Sequence, residues 1–311
     1  MELTYKQIQE LTVGAVTVLN EPDGYHFRRF TERQVDVIFE SDPTERNYET
    51  TGIRLDFHTD ATKLTVKTAT KGKYEVLING LTAFWETFED AAQFEVPLVG
   101  TDNRVTIILP SHGIGVIQSV ILEDATYASK HDHRLKLAFY GDSITQGWNS
   151  EKDSQSYAWL TSRFFDADSR IYGIGGTTFI PAFPEDTGFR PDAVIVAMGT
   201  NDYGRNKTME QIKADCAAYL KNMEQANPGS QLFCVTPTWR WAGLKPKAAG
   251  TLAEVRREIA QVATDSGYTV IDGLSMMPQR FEYYFDKGLH PNEQGFSSYA
   301  LNLCKVLCRY L

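Results

Sequence analysis

The chain has 311 residues, 42% of them hydrophobic and 23% charged, with a formal net charge of −9. These proportions exclude a disordered, collagenous or coiled-coil chain, and the length allows two domains whose cores need no disulfide or metal staple. The acidic balance argues against nucleic acid as a partner, and no run of 18 apolar residues is present to span a membrane. The charge is uneven: residues 1–139 hold 14 Lys/Arg against 21 Asp/Glu, and the remainder hold 17 against 19. Histidine is more uneven still, with His26, His58, His112, His131 and His133 in the first part and His290 alone in the second. The opening residues, Met1 to Gln7, carry no apolar signal segment, which gives the expectation of a cytoplasmic protein.

In chain order, the first part reads as strands. Period-two alternation marks Ile53–Phe57, Leu64/Val66, Tyr74/Val76/Ile78, Phe94/Val96/Leu98 and Val105/Ile107/Leu109. Turn chemistry separates them at Asn79-Gly80, at Gly100–Asn103 and at Pro110–Gly113. Short strands at this spacing predict an all-β sandwich, jelly-roll-like, over residues 1–130. The polar stretch Ala125–Arg134 is expected to be a linker.

From Leu135 the rhythm changes to apolar runs alternating with helical stripes. Strands are expected at Leu135–Tyr140, Ile171–Ile174, Ala193–Met198, Leu232–Val235 and Tyr268–Ile271, with an amphipathic helix through Leu252, Val255, Ile259 and Val262. Continuous apolar strands between helices predict an α/β domain over 135–311, a parallel sheet covered on both faces. The cysteines fit that core: Cys216 lines up with Met209, Ile212 and Met223, Cys234 lies in a strand run, and Cys304 and Cys308 fall on a stripe with Phe296, Tyr299, Ala300, Leu303 and Leu307. All four are expected to be buried thiols rather than metal ligands.

Chemistry in such a sheet collects at the carboxyl ends of the strands. Gly141-Asp142-Ser143-Ile144-Thr145-Gln146-Gly147 follows the first strand, where a serine can present its hydroxyl, although Asp and Ser are also ordinary helix caps. Gly173-Ile-Gly175-Gly176-Thr177-Thr178 follows the second, and is either a backbone cradle or simply a turn. Gly199-Thr200-Asn201-Asp202 follows the third; Asn201 either offers a side-chain N–H to an oxyanion or closes an Asx turn. Gly288-Leu289-His290-Pro291-Asn292 precedes the last helix, and His290 is the one histidine of this domain able to serve Ser143 as a base.

Together and in this order, the four stretches resemble the blocks of the GDSL, or SGNH, hydrolases. The resemblance covers about residues 135–311 and implies a three-layer α/β/α flavodoxin-like fold with Ser143 as nucleophile and His290 as base. It also implies an oxyanion hole from Ser143, Gly176 and Asn201. The family's third triad position, three residues before the histidine, is here Lys287, which cannot hold an imidazolium. Asp286, one residue earlier, is the expected partner of His290, with a backbone carbonyl as the alternative. The preceding sandwich is similar in arrangement to family-2 carbohydrate esterases.

The expected reaction is hydrolysis of a short-chain ester, acetyl above all, on a carbohydrate or similar polar alcohol through an acyl-serine. Trp239, Arg240 and Trp241 are candidate substrate contacts, by stacking and by charge, or else a packed loop. Phe281–Phe285 is expected to belong to the core, with a wall of the acyl pocket as the alternative. No metal or other cofactor is expected. The alternatives are a thioesterase, lysophospholipase or acyltransferase using the same site, or a carbohydrate-binding protein acting through the sandwich, where Trp85 is a candidate exposed aromatic.

Overall fold

The computed structural model describes residues 1–41, 48–286 and 288–311. The chain forms two compact units. One comprises Met1–Glu32, Thr44–His133 and Lys152–Ser154; the other comprises Arg33–Pro43, Arg134–Glu151 and Gln155–Leu311.

The first unit opens with α1 (Tyr5–Leu11), capped by Thr4 and Gln7 in a reciprocal capping box. Its strands are β1 (Thr12–Val13), β2 (Thr17–Glu21), β3 (Gly24–Arg28), β4 (Arg54–Thr59), β5 (Lys63–Thr68), β6 (Gly72–Ile78), β7 (Leu81–Phe88), β8 (Ala92–Pro97), β9 (Asn103–Ile108), β10 (Val116–Glu123) and β11 (Ala128–Lys130). They make two antiparallel sheets, ordered β1-β4-β9-β6-β7 and β2-β3-β10-β5-β8. The inward side chains of both sheets share one core: Leu55 and Phe57 of β4, Val76 of β6 and Ile107 of β9 from one, Phe27 of β3, Val66 of β5 and Val120 of β10 from the other. This is the sandwich that the alternation predicts. Part of the expected linker is strand, because β11 pairs with β4 from Ala128↔Thr59 to Lys130↔Phe57. Its three residues are held by backbone bonds and leave no hydrophobic pattern to read.

In the second unit α2 (Glu32–Ser41) contributes from Arg33 onward, and Arg33 Nη2 donates to the Ala182 carbonyl at 3.0 Å. There follow β12 (Leu135–Gly141), α3 (Ser143–Gln146), α4 (Tyr157–Phe164), β13 (Ala167–Gly173), β14 (Ala193–Ala197), α5 (Thr200–Gly204), α6 (Met209–Ala226), β15 (Gln231–Val235), α7 (Leu252–Asp265), β16 (Thr269–Ile271) and α8 (Glu293–Leu307). The strands form one parallel sheet ordered β13-β12-β14-β15-β16, a doubly wound arrangement whose order reverses beside β12. Capping boxes from Thr208 and Thr251 start α6 and α7, and these two helices pack together, as do α4 and α8. The strand interiors are apolar on both faces; Ile195 and Val196 are both fully buried.

Cys216, Cys234 and Cys304 are buried, as the stripes predict, but Cys308 is exposed. It lies one residue past the end of α8, where the helical stripe no longer faces the sheet. Among the described residues, no helix is long and apolar enough to cross a membrane.

Phe57 is fully buried where the two sheets meet. Phe57→Ala is expected to destabilise the first unit by about 3–5 kcal/mol in urea unfolding, and a loss below about 1 kcal/mol contradicts a shared core.

Candidate active site

The three central strands end level. Gly141 at the end of β12 is in register with Gly173 of β13 and Ala197 of β14, so the turns that follow reach the same sheet edge. After β12, Asp142 caps α3, its Oδ1 accepting the Ile144 N–H at 2.9 Å, which presents Ser143 as the first residue of a four-residue helix. The helix lies so close to the sheet that a Cβ on Gly173 would overlap the backbone nitrogen of Gln146. Glycine there is a requirement of packing rather than of flexibility.

Ser143 is 8% exposed, and its Oγ lies 2.9 Å from His290 Nε2. The other ring nitrogen, Nδ1, lies 2.6 Å from Asp286 Oδ2. Asp286 Oδ1 also accepts the backbone N–H of His290 at 2.8 Å and of Leu289 at 3.3 Å. The loop can fold the carboxylate back over four residues because Gly288 adopts φ +75°. Lys287 lies outside the described residues. Burial works to raise the Asp286 carboxyl, but the His290 N–H and imidazole outweigh it and hold it below the usual carboxylate range. The three groups form one hydrogen-bonded chain, with the chemical capacity to take a proton from a hydroxyl as it attacks and to stabilise the imidazolium that results.

Ser143 is one of three residues with N–H donors, with Gly176 and Asn201, on the turns that follow β12, β13 and β14. Its own N–H and that of Gly176, a residue at φ +76°, have no hydrogen-bond acceptor among the described residues. Asn201 lies in α5, and its Nδ2 donates one hydrogen to the Thr177 carbonyl at 3.0 Å, leaving the second. That bond orients the amide.

Sequence reasoning passed over several contributors. Gln146 Oε1 accepts the Gly175 N–H at 2.8 Å, tying the nucleophile helix to the glycine turn. Asp202, fully buried, accepts from the Phe179 N–H and from Lys207 Nζ at 2.8 Å and so fixes the turn that carries Asn201. Both sit inside the quoted motifs, where a polar residue with no room for solvent is the available signal. Trp148 stands 6.2 Å, ring to ring, from His290 and is 36% exposed.

Arg240 turns one end of its guanidinium into the protein, Nη1 donating to the Thr200 carbonyl at 3.1 Å, as the packed-loop alternative expects. Trp239 is half-buried against Tyr284 and Phe281, and Trp241 is exposed. Phe281–Phe285 is not a core segment, since Phe281 and Phe285 are exposed and Tyr284 is the buried aromatic among them. Phe281–Tyr283 forms a single 3₁₀ turn followed by loop, too short to gather the aromatic side chains on one buried face.

Residues 139–297, just over half the chain, match the GDSL-like lipase/acylhydrolase family, and the chain belongs to that family. The structure is similar to that of a salicylyl-acyltransferase from a tetracycline biosynthetic pathway (TM-score 0.85, 21% identity, covering 96% of this chain and 94% of that one). It is also similar to an acetyl xylan esterase from the rumen bacterium Butyrivibrio proteoclasticus (TM-score 0.69, 14% identity, 99% and 98% covered). A family-two carbohydrate esterase from Cellvibrio japonicus gives a TM-score of 0.67 at 16% identity, with 97% and 96% covered. At these identities the likeness is one of fold. No curated protein matches the chain in sequence.

Behind the nucleophile turn, Asp142, Thr145, Thr200, Thr236 and Thr238 line a cavity of about 20 Å³. Burial pushes the Asp142 carboxyl up to about 7; the Ile144 N–H opposes the rise and the nearby Asp202 adds to it. The folded protein therefore keeps a proton on Asp142 across a window, about pH 4 to about pH 7, in which the unfolded chain has lost it. Stability drawn from this group declines as pH rises through that window. Asp142→Asn is expected to flatten the decline in urea unfolding measured across the window. Parallel profiles for the two proteins contradict the assignment.

Proposed function

We propose that the protein is a serine esterase that hydrolyses short-chain esters, acetyl above all, on a carbohydrate or similar polar alcohol. The observation that carries this reading is the Ser143–His290–Asp286 chain, with separations of 2.9 and 2.6 Å. Ser143 Oγ attacks the ester carbonyl while His290 Nε2 takes its proton. Asp286 keeps the remaining ring proton on Nδ1 and stabilises the imidazolium. The carbonyl oxygen, now negative, is met by the N–H groups of Ser143 and Gly176 and by the second amide hydrogen of Asn201. Collapse of the tetrahedral intermediate expels the alcohol, which receives the proton from His290 and leaves an acyl-serine. Water repeats the sequence, the same histidine acting first as base and then as acid, and releases the carboxylic acid.

The polar-alcohol substrate is supported by the exposed aromatic faces of Trp148 and Trp241, which suit a sugar ring, and by the carbohydrate esterases among similar folds. A second reading, acyl transfer to an alcohol other than water, is favoured by the closer structural match to an acyltransferase. The two share every step up to the acyl-serine and differ in what attacks it.

With an aryl acetate, Ser143→Ala is expected to lower kcat by about 10⁴-fold or more, and equal rates remove the catalytic reading. Asp286→Asn is expected to lower kcat by up to about 10⁴-fold, whereas a rate within a few-fold of wild type restores the backbone-carbonyl alternative. A series from acetate to octanoate is expected to fall with chain length. Adding alcohol acceptors then separates the readings: an acylated alcohol as the main product selects transfer, and free acid selects hydrolysis.

A further inference from the structure

The segment Trp239-Arg240-Trp241 makes contacts in two directions, to two different pieces of the site. Towards the histidine loop, the Trp241 N–H donates to the Gly288 carbonyl at 3.0 Å, and Tyr284 Oη donates to the Trp239 carbonyl at 3.2 Å. Gly288 itself is pressed against this segment: a Cβ there would stand 2.8 Å from the Trp239 ring and 3.1 Å from Trp241 Cβ. Gly288 is the residue whose left-handed backbone brings Asp286 back to His290. The aromatic packing therefore holds the bend on which that pairing depends.

Towards the other side, Arg240 Nη1 donates to the carbonyl of Thr200, the residue before Asn201. The guanidinium lies 6.0 Å over the ring of Tyr203, and Nη1 would stand 3.1 Å from a Cβ placed on Gly204. Tyr203 Oη in turn donates to the Ala242 carbonyl at 3.0 Å, and also to that of Lys245. All of α5, and with it Asn201, is thus moored to the residues that follow β15. Among the described residues no hydrogen bond runs directly from Thr200–Gly204 to Tyr284–His290. The tryptophan–arginine–tryptophan segment is hydrogen-bonded to both and so connects them.

We infer that Arg240 is a positioning residue that sets the Asn201 amide relative to the Ser143–His290 pair, acting through the Thr200 carbonyl. The inference rests on the esterase reading. A planar guanidinium suits the task, because a donor in a rigid fork fixes both distance and direction, which a lysine ammonium on a flexible stem does not. A donor aimed at a developing oxyanion gains from such precision, since a shift of about 1 Å at a reacting centre can cost about 10²-fold in rate.

The test uses Arg240→Ala, Arg240→Lys, Asn201→Ala and the Arg240→Ala/Asn201→Ala double variant of the full chain, assayed with an aryl acetate. Arg240→Ala is expected to lower kcat by about 10- to 100-fold with KM within about twofold of wild type, less than the loss of about 10²–10³-fold expected for removing the donor outright. In the Asn201→Ala background the same substitution is expected to cost little more, because the group it positions is gone. Free guanidinium added to Arg240→Ala is expected to restore part of kcat, and to restore nothing in the double variant. Arg240→Lys, with its charge retained, is expected to lie between wild type and alanine.

A loss that multiplies in full on Asn201→Ala, or that falls on KM with kcat unchanged, overturns the inference; the second result makes Arg240 a substrate contact. If Arg240→Ala does not fold, Arg240→Lys against Asn201→Ala carries the same cycle. A wild type whose hydrolysis does not depend on Ser143 overturns the esterase reading, and this inference with it. That outcome is distinguished by the Ser143→Ala control.

Discussion

The imidazole of His290 is bonded at both ring nitrogens, and that double attachment constrains the chain on either side of it. For Nε2 to face Ser143 at 2.9 Å and Nδ1 to face Asp286 at 2.6 Å, the loop before α8 must double back within four residues. It does so through a glycine at φ +75°, with the carboxylate also taking two backbone N–H groups. The serine must then arrive from the opposite direction at a fixed height. It does, because β12, β13 and β14 end in register and the glycine at the end of β13 lets α3 settle against the sheet. Sheet geometry supplies the coarse placement and hydrogen bonds the fine one.

Charge behind the site follows a simple division. Asp202 and Asp142 are both buried, and burial raises both carboxyls. Asp202 has Lys207 Nζ at 2.8 Å to oppose that rise. Among the described residues Asp142 has no ion pair, only a backbone N–H and the more distant charge of Arg240, and its carboxyl is pushed up to about 7. A carboxyl that is partly protonated near neutral pH brings less negative charge beside Ser143, where negative charge develops on the substrate.

Much of this was legible in the sequence, and the remainder was hidden for physical reasons. The parallel strands announce themselves because strands buried on both faces read as continuous apolar runs. The sandwich core strands alternate for the converse reason. The edge strand β7 is exposed at Leu81, Thr82, Ala83, Trp85, Glu86 and Thr87, so neither pattern applies, and β10 is obscured by a register shift between Ile117 and Ser119. Ser143, Gly176, Asn201 and His290 stand out by motif and by position at strand ends. Asp286 could be named but not placed, because its pairing with His290 depends on a backbone reversal that residue spacing does not encode. Arg240 shows the limit most plainly. Between two tryptophans it invites a surface reading, yet its direction is set by the Thr200 carbonyl, forty positions away in sequence.

The central claim is that the hydroxyl of Ser143 is made nucleophilic by the imidazole beside it. The most direct measurement is covalent capture: incubation with a fluorophosphonate, followed by mass-spectrometric mapping of the labelled peptide in the wild type and in His290→Ala. The account predicts one adduct, on Ser143 of the wild type, and a labelling rate lowered by orders of magnitude in the variant. Adduct formation at another residue, or at Ser143 with equal speed in both proteins, would contradict it.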